Sequence, residues 1–478
     1  MLLKDLIEKV EILKIENDID TEISGICYDS RKVEKGDLFV CVKGYQSDGH
    51  KYAKNAVENG AVAILCEDEI EADVPKIYVK DARKALSLVS AKFFDYPHKK
   101  MKIIGVTGTN GKTTSTYLIK GILDACGYKV GIIGTNQNMI GDRVLETERT
   151  TPESYELHKL FKEMADEKVN FVVMEVSSHS LYLDRVYGIE FEVGAISNVT
   201  QDHLDFHKTM DEYAKAKSLL FKNSKTSILN KEDSYFDMMS KSATGKIVTY
   251  GTRDDCDIRA VDVFANRSGI SFGVSADGEL SRISLGIPGT FTVYNALLSI
   301  GVALSLGIPM AFIKMALKNQ KGVKGRLEVV DTDRDYTVMI DYAHTPDGLL
   351  NVLNSLNQIK ESRVITVFGC GGDRDNKKRS LMGEISTTHS DYTVITSDNP
   401  RTESPAKIID EIVSGVKGDN YTVIENRKEA IGYALKIARE NDIVLLAGKG
   451  HETYQILKEG KIHFDEREIV KEILESGN

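Results

Sequence analysis

Residues Ile104-Gly-Val-Thr-Gly108-Thr-Asn-Gly111-Lys112-Thr113-Thr114 decide how this chain is read. Lys102-Ile-Ile-Gly-Val106 is an apolar run of strand length, glycines follow it, and Lys112-Thr113 opens a helical stretch reaching about Cys126. A strand, a glycine-rich turn and a helix start, in that order, let backbone N–H groups converge on phosphate oxygens. The helix N-terminus adds a positive dipole, the lysine reaches the β- and γ-phosphates, and a threonine hydroxyl there can ligate Mg2+. Val106 stands where the usual G-x4-G-K-[ST] form has its first glycine. Gly108, Thr109, Asn110, Gly111, Lys112, Thr113 and Thr114 are read as a nucleotide-binding loop.

Working outward, Asn170-Phe-Val-Val-Met174, Ala195-Ile-Ser-Asn-Val199 and Ser227-Ile-Leu229 are further strand candidates, alternating with helical stretches. That rhythm predicts a mainly parallel sheet of phosphate-loop type. Residues 246–287 change character: Ile270, Phe272 and Val274 alternate with polar residues and Asp277-Gly278 marks a hairpin, predicting an antiparallel appendage. Before the loop, Asp37–Val42, Ala61–Leu65 and Lys76–Val79 with a helix over Tyr52–Asn59 read as a small α/β unit ending near His98. After Gly325-Arg326 a third α/β rhythm begins, with strands at Val364–Phe368, Tyr392–Ile395, Tyr421–Ile424 and Asp442–Leu446, read as Rossmann-like. The expected division is 1–98, 99–325 and 326–478, in keeping with 478 residues at roughly 150 per domain.

Composition narrows the classes. With 62 basic and 72 acidic residues the net charge is −10, which argues against non-specific nucleic-acid binding. The six cysteines form no CxxC pair, so a zinc ribbon or a dithiol has no support, and their sparseness fits a reducing compartment. No apolar run approaches the ~18 residues of a membrane span, and the start lacks a signal-peptide core. A cytoplasmic protein without membrane insertion, and a monomer, is the expectation.

Several residues carry candidate chemistry. Glu175 ends the strand candidate beside the loop, where a Mg2+ ligand is needed. His203 and His207 are four apart, but no glutamate follows the first as H-E-x-x-H requires, so hydrogen-bonded or solvent-facing histidines are as good a reading as metal ligands. Lys217 lies beside the apolar face of the helix 212–221, and spacing alone reads it as solvated or snorkelling. Asn230-Lys-Glu-Asp233 imitates a guanine-reading N-K-x-D, yet the D-x-x-G that a switch protein needs is found only as Asp124–Gly127, at the far end of the loop's own helix. A polar turn closing a strand is the better reading. Three turns that follow strands in the last domain carry Arg374, Asp398 with Arg401, and Glu452. Ligands gather at strand C-termini of parallel sheets, and mixed arginine and carboxylate groups suit a zwitterionic amino acid.

Gly-Val-Thr-Gly-Thr-Asn-Gly-Lys-Thr-Thr, Met174-Glu-Val-Ser-Ser-His179, Asp202-His-Leu-Asp-Phe-His207, Ala216-Lys-Ser-Leu-Leu-Phe221, Asp341-Tyr-Ala-His-Thr-Pro346 and Asp398-Asn-Pro-Arg401 together resemble the Mur ligase family. The motifs run from Asp29-Ser30-Arg31 to Gly448–Glu452, nearly the whole chain. Within that family the likeness is nearest to members that add meso-2,6-diaminopimelate to UDP-N-acetylmuramoyl-L-alanyl-D-glutamate in peptidoglycan synthesis. It implies an ATP-dependent amide ligation through an acyl phosphate, with Mg2+ as cofactor. Thr113 and Glu175 would be ligands of one Mg2+ and His203 of a second, with Lys217 a carbamate that helps hold Mg2+, against the reading from spacing; Lys215 should face elsewhere. Lys112, Lys217 and His203 would carry catalysis, with Asn295, Arg326 and Asp341 near ATP. Ser30 would contact the uridine nucleotide, and Thr150, Thr151, Ser177 and Arg185 the muramoyl peptide. Arg374, Asp398, Asn399, Pro400, Arg401, Gly448 and Glu452 would receive the amino acid, and Arg401 favours diaminopimelate over lysine because a guanidinium pairs with the distal carboxylate. Thr292 departs from the asparagine that many members carry. The alternatives are the same ligase using L-lysine, another amide ligase of the superfamily such as folylpolyglutamate synthase, and a nucleotide-switch NTPase.

Overall fold

In a computed structural model describing residues 1–44, 47–320 and 322–476, Lys102–Thr107 lies inside an eleven-stranded sheet, parallel to both its neighbours, Phe171–Glu175 and Phe191–Ile196. These strands are buried along almost their whole length, with Ile104 and Val106 in one core and Ile103 and Met174 in the other. Helices on both faces leave no solvent side, so the strands read as continuous apolar runs. Val130–Ile133 extends the parallel part on one side, Ser224–Asn230 and Lys246–Gly251 on the other.

The expected antiparallel appendage begins at Ile258–Asn266 rather than at residue 246. The helix Phe236–Ser242 carries the chain back across the sheet, so Lys246–Gly251 pairs parallel with Ser224–Asn230. Gly269–Ala276 and Glu279–Leu285 then complete an antiparallel edge, turning at Asp277 and Gly278. Both have positive φ (50° and 79°), as a two-residue primed turn requires. The strand expected over Ala195–Val199 stops at Ile196, because Ser197, Asn198 and Val199 turn away to bond the nucleotide loop and Asp233.

Two smaller sheets flank this one. The first has Gly25–Cys27, Asp37–Val40, Ala63–Cys66 and Lys76–Val79 in parallel, with Ile12–Glu16 antiparallel at its edge. The helix expected over Tyr52–Asn59 spans Ala53–Glu58. In the last sheet Thr337–Asp341, Ile443–Ala447, Val364–Phe368, Tyr392–Ile395 and Tyr421–Val423 run parallel in that spatial order, with Glu328–Val330 antiparallel outside them. The chain is thus a three-domain α/β protein.

The first two units meet through Tyr28, whose hydroxyl donates to Glu156 (2.9 Å), and through the turn Pro97–Lys100, which lies on the helix Ser154–Asp166. His98 and His158 face each other there, ring centroids 5.2 Å apart, and both are buried. Both nitrogens of His158 and Nδ1 of His98 lack a hydrogen-bond partner. Burial pushes His98 down to about 4, helped by Lys99 and Lys9, and His158 down to about 3, helped by His98. In the unfolded chain both return to the ordinary 6.5. Stability from keeping them neutral is therefore complete above pH 6.5 and is lost as pH falls towards 4, where the unfolded chain binds protons that the folded one refuses. Thermal unfolding at pH 7 and at pH 5 checks this: the wild type should lose more Tm over that interval than His158→Leu, and equal losses would refute it.

Candidate active site

The nucleotide loop is fixed from behind. Gly108 has φ +140°, and a Cβ there would stand 1.9 Å from Ser197 Oγ; at Gly111 (φ +84°) it would stand 2.3 Å from Asn295 Oδ1. Only glycine accepts both the conformation and the approach. Thr109 Oγ1 donates to the Thr200 carbonyl (3.1 Å), and Asn110 N–H donates to Asn198 Oδ1 (3.0 Å). Lys112 Nζ donates to the carbonyls of Gly108 (2.9 Å) and Thr109 (2.8 Å). Burial lowers its pKa.

The loop opens onto a cleft of about 910 Å3 that takes its walls from two domains. Thr113, Thr114, Glu175, His203, Asn230 and Glu232 line it on one side, and Asn295, Arg326 and Asp341 through Thr345 close it. Glu175 is buried at its strand end, where Oε1 accepts from Thr113 Oγ1 (2.9 Å) and Thr135 N–H (3.0 Å) and Oε2 accepts from Thr135 Oγ1 (2.9 Å). Arg326 Nη2 reaches the same Thr113 hydroxyl at 3.0 Å. Thr135 escaped the sequence reading; the strand Val130–Ile133 just before it was the available signal. Asp341 accepts from Leu327 N–H (2.7 Å) and Ala343 N–H (2.8 Å), holding the interdomain connection with Leu327 at φ 41°, and burial raises its pKa.

Lys217 corrects the reading from spacing. It is 1% exposed, its Nζ donates to the Gly108 carbonyl at 2.8 Å and lies 4.4 Å from the Tyr213 ring centroid, whereas Lys215 is exposed. Burial, with Lys112 as a second cause, pushes its pKa well below the usual lysine value. His203 and His207 part company. His203 sits in the left-handed region (φ 53°) at the head of the helix Leu204–His207, 46% exposed, its ring 4.8 Å from that of His179. His207 is buried, with Nε2 3.0 Å from Ser178 Oγ. Asn230–Asp233 is the polar turn that spacing favours: Asp233 accepts from Val199 N–H (2.7 Å) and Tyr235 N–H (2.9 Å). Thr292 turns inward and donates to the Pro288 carbonyl (2.9 Å), so it is not among the residues that line the cleft.

Thr150, Thr151, Ser177 and Arg185 gather near Glu175, Thr150 and Ser177 lining the cleft. Thr150 Oγ1 is 3.0 Å from Thr135 Oγ1, Thr151 Oγ1 donates to the Glu175 carbonyl (2.8 Å) and accepts from Ser177 N–H (3.1 Å). Arg185 Nη1 donates to the Thr151 carbonyl (3.1 Å) and pairs with Glu153 (2.8 Å). Ser30 stands apart in the first domain, its carbonyl accepting from Asn59 (2.9 Å).

In the last domain three neighbouring strands deliver their turns to one crevice. Asp398, Asn399 and Glu452 meet around Lys449, which is fully buried: Nζ lies 3.0 Å from Glu452 Oε2, 3.2 Å from Asn399 Oδ1 and 3.4 Å from Asp398 Oδ1. Asn399 Nδ2 donates to Glu452 (2.9 Å), and Gly448 (φ +113°) leaves room beside Asp398. Arg401, at φ 53°, donates from Nη1 to the Gly372 carbonyl (2.7 Å), and the Pro400 carbonyl lies against Gly372. Arg374 does not join them: it is exposed, with Nη1 on the Asp373 carbonyl (3.2 Å). Lys449 escaped the sequence reading, since a lysine between two glycines is indistinguishable from a surface turn.

Three family patterns match the chain in succession. The pattern of the Mur ligase family catalytic domain matches residues 22–94, that of the Mur ligase middle domain 106–303, and that of the Mur ligase glutamate ligase domain 325–450. A relative from Clostridium botulinum named UDP-N-acetylmuramoyl-L-alanyl-D-glutamate--2,6-diaminopimelate ligase is 52% identical over 460 residues, 95% of each chain. One of the same name from Caldanaerobacter subterraneus is 50% identical over 479 residues, 99% of each. A solved structure of that name superposes with a TM-score of 0.72 at 30% identity, covering 100% of this chain and 99% of the other. MurF from Thermotoga maritima in complex with ADP shares the fold (TM-score 0.63, 19% identity, covering 97% of this chain and 100% of the other).

Removing Lys449 would leave two carboxylates buried beside each other without their cation. Breaking a buried pair costs about 3–5 kcal/mol. Lys449→Met should therefore lower the denaturant midpoint of the C-terminal domain by that equivalent, and a midpoint within error of wild type would show that the charges do not depend on it.

Proposed function

The chain belongs to the Mur ligase family, and from that premise we propose that it is the ATP-dependent ligase adding meso-2,6-diaminopimelate to UDP-N-acetylmuramoyl-L-alanyl-D-glutamate. The observation that carries the reading is the convergence of the phosphate loop and Glu175 on one cleft, with Lys217 buried against the loop's Gly108 carbonyl, that the domain bearing Arg401, Asp398 and Glu452 closes. Residues 1–98 are assigned to the UDP-sugar, with Ser30 at the uridine end, 99–325 to ATP and metal, and 326–478 to the incoming amino acid. The protein works in the cytoplasm in peptidoglycan synthesis, as a monomer. No helix among the described residues is long and apolar enough to cross a membrane.

The residues present suit Mg2+. Glu175 and the Thr113 hydroxyl are already in contact beside the loop, and His203 heads a short helix at the same cleft. Lys217, as an ammonium, would sit buried beside Lys112. Its depressed basicity keeps the amine free to add to CO2, forming an N–C bond and releasing one proton; the resulting carbamate replaces a like-charge contact with an attractive one. Thr113 and Glu175 would hold one Mg2+ and His203 a second, with carbamylated Lys217 helping to hold Mg2+, which when bound neutralises charge on the transferring phosphoryl group.

The chain's own groups do the rest. The loop N–H groups bind the phosphates, and Lys112 leaves its two carbonyls to meet them. The γ-phosphoryl group passes to the D-glutamate γ-carboxylate as ADP leaves, and Thr150, Thr151, Ser177 and Arg185 hold that arm. The neutral amine of the acceptor attacks the acyl carbon, phosphate departs and a proton is released. Asn295, Arg326 and Asp341 close the nucleotide side and exclude water.

For the acceptor, Asp398 and Glu452 face its distal ammonium and Arg401 its distal carboxylate. Lysine lacks that carboxylate and would set an ammonium against the guanidinium.

Phosphate release from ATP should require the UDP-muramoyl dipeptide together with diaminopimelate; release with lysine instead would select the lysine-adding reading, and release without an acceptor a switch. Arg401→Ala removes a charge-assisted contact of about 2 kcal/mol, so the KM for diaminopimelate should rise roughly 30-fold with that for ATP little changed. Isotope-labelled bicarbonate should leave a carbamate resonance that Lys217→Ala abolishes; a resonance surviving in that variant would place the modification elsewhere.

A further inference from the structure

The helix Pro346–Ile359 begins at Thr345, whose hydroxyl caps Gly348 N–H (3.1 Å), and this places Asp347 in its first turn. Asp347 Oδ2 accepts two hydrogen bonds from the other domain, one from Asn110 Nδ2 at 2.7 Å and one from Thr200 Oγ1 at 2.8 Å. Both donors are themselves tied to the phosphate loop. Asn110 is a loop residue whose N–H is held by Asn198, and Thr200 N–H donates to Thr109 Oγ1 (3.0 Å). The carboxylate thus spans the gap between the domain carrying the acceptor turns and the loop that holds the nucleotide.

Asp347 is not among the residues lining the cleft, although Thr345, Gly348 and Asn351 around it are. Its partners are the loop's own side chains, so any effect on chemistry passes through them. Other links cross the same boundary, among them Arg326 Nη2 to Thr113 Oγ1 (3.0 Å) and Arg267, whose Nη2 donates to the Asn441 carbonyl (2.8 Å) and lies 3.5 Å from Glu361. The first leaves the connecting segment, and the Arg267 bonds touch no residue of the phosphate loop. In the reading proposed above, on which this inference rests, the Arg326 link competes with metal for the Thr113 hydroxyl. The Asp347 bonds involve no residue read as a metal ligand.

We infer that Asp347 is a positioning residue for the ligation, a latch holding the acceptor domain on the phosphate loop through Asn110 and Thr200. One carboxylate oxygen sets both the closure of the two domains and the side chain of Asn110 in the loop.

The test uses the full chain with Asp347→Ala, Asp347→Asn, Thr200→Val and the Asp347→Ala/Thr200→Val pair, read by ligation kinetics, small-angle scattering and melting temperature. Asp347→Ala should lower kcat at least about tenfold with less than about threefold change in the KM for ATP, since misplacing reacting groups costs rate more than binding. Its radius of gyration should rise without ligand. Asp347→Asn should keep most of the wild-type rate and compactness, because an amide oxygen accepts the same two bonds. The double variant should be no slower than Asp347→Ala alone, as expected when both changes break one contact. The latch is overturned if Asp347→Ala keeps wild-type kcat and dimensions, if Asp347→Asn is as slow as Asp347→Ala, or if the two single losses multiply. Should Asp347→Ala fail to fold, Thr200→Val and Asp347→Asn still decide: a slowed Thr200→Val with an active Asp347→Asn supports the latch, and an unaffected Thr200→Val overturns it. A wild type that does not ligate would remove the substrate reading, while the scattering comparison would still judge the latch.

Discussion

Two lysines share one acceptor. Lys112 and Lys217 both donate to the carbonyl of Gly108, the first from the helix that the loop opens and the second from a helix a hundred residues further along. Coulomb repulsion between them is weakly screened because the site is buried, and a single neutral carbonyl cannot cancel it. The pressure is relieved in only a few ways: one amine gives up its proton, one becomes an anion, or an anionic ligand arrives. Each of these is a step in the chemistry proposed for the cleft, so the demand for negative charge is built into the loop itself. The glycines at 108 and 111 set this up, since no other residue would admit the backbone conformation and the close approach of Ser197 and Asn295.

The opposite problem is solved in the acceptor crevice. Asp398 and Glu452 are two carboxylates in a poorly solvated place, and Lys449 between them leaves a net single negative charge. In the proposed reading, that balance would suit one incoming ammonium, and Arg401 would meet a carboxylate at the other end of the same ligand. The two halves of the reaction are thus kept in different electrostatic surroundings, a cationic loop and an anionic crevice, on separate sheets. They can act on one another only if the sheets are held together, which gives the short contacts across the boundary their importance.

Much of this was legible without coordinates. The apolar runs marked strands because the central strands are buried on both faces, and the glycine–lysine–threonine turn marked the nucleotide loop because its chemistry is local. Glu175 was legible for the same reason, at the end of a strand next to that loop. Lys217 was misread from spacing: helical periodicity places it beside the apolar face and says nothing of a loop from another element covering it. Arg374 erred the other way. Its turn does reach the crevice, but its side chain points to its own backbone, and no pattern of residues encodes that rotamer. Lys449 gave no signal, since a lysine between glycines is an ordinary turn residue, and Thr135 offered only its place just after the strand Val130–Ile133.

What the chain alone determined, then, is everything set by neighbours within a few residues: the three α/β rhythms, the hairpin at Asp277-Gly278, the phosphate loop, and the motifs that resemble a known family. What the tertiary structure decided is which of those local pieces share a volume. Burial of Lys217, the split between exposed His203 and buried His207, the charge balance at Lys449 and the grip of Asp347 on Asn110 and Thr200 all join residues distant in sequence. Their energies depend on dielectric and distance, and neither exists until the sheets have packed.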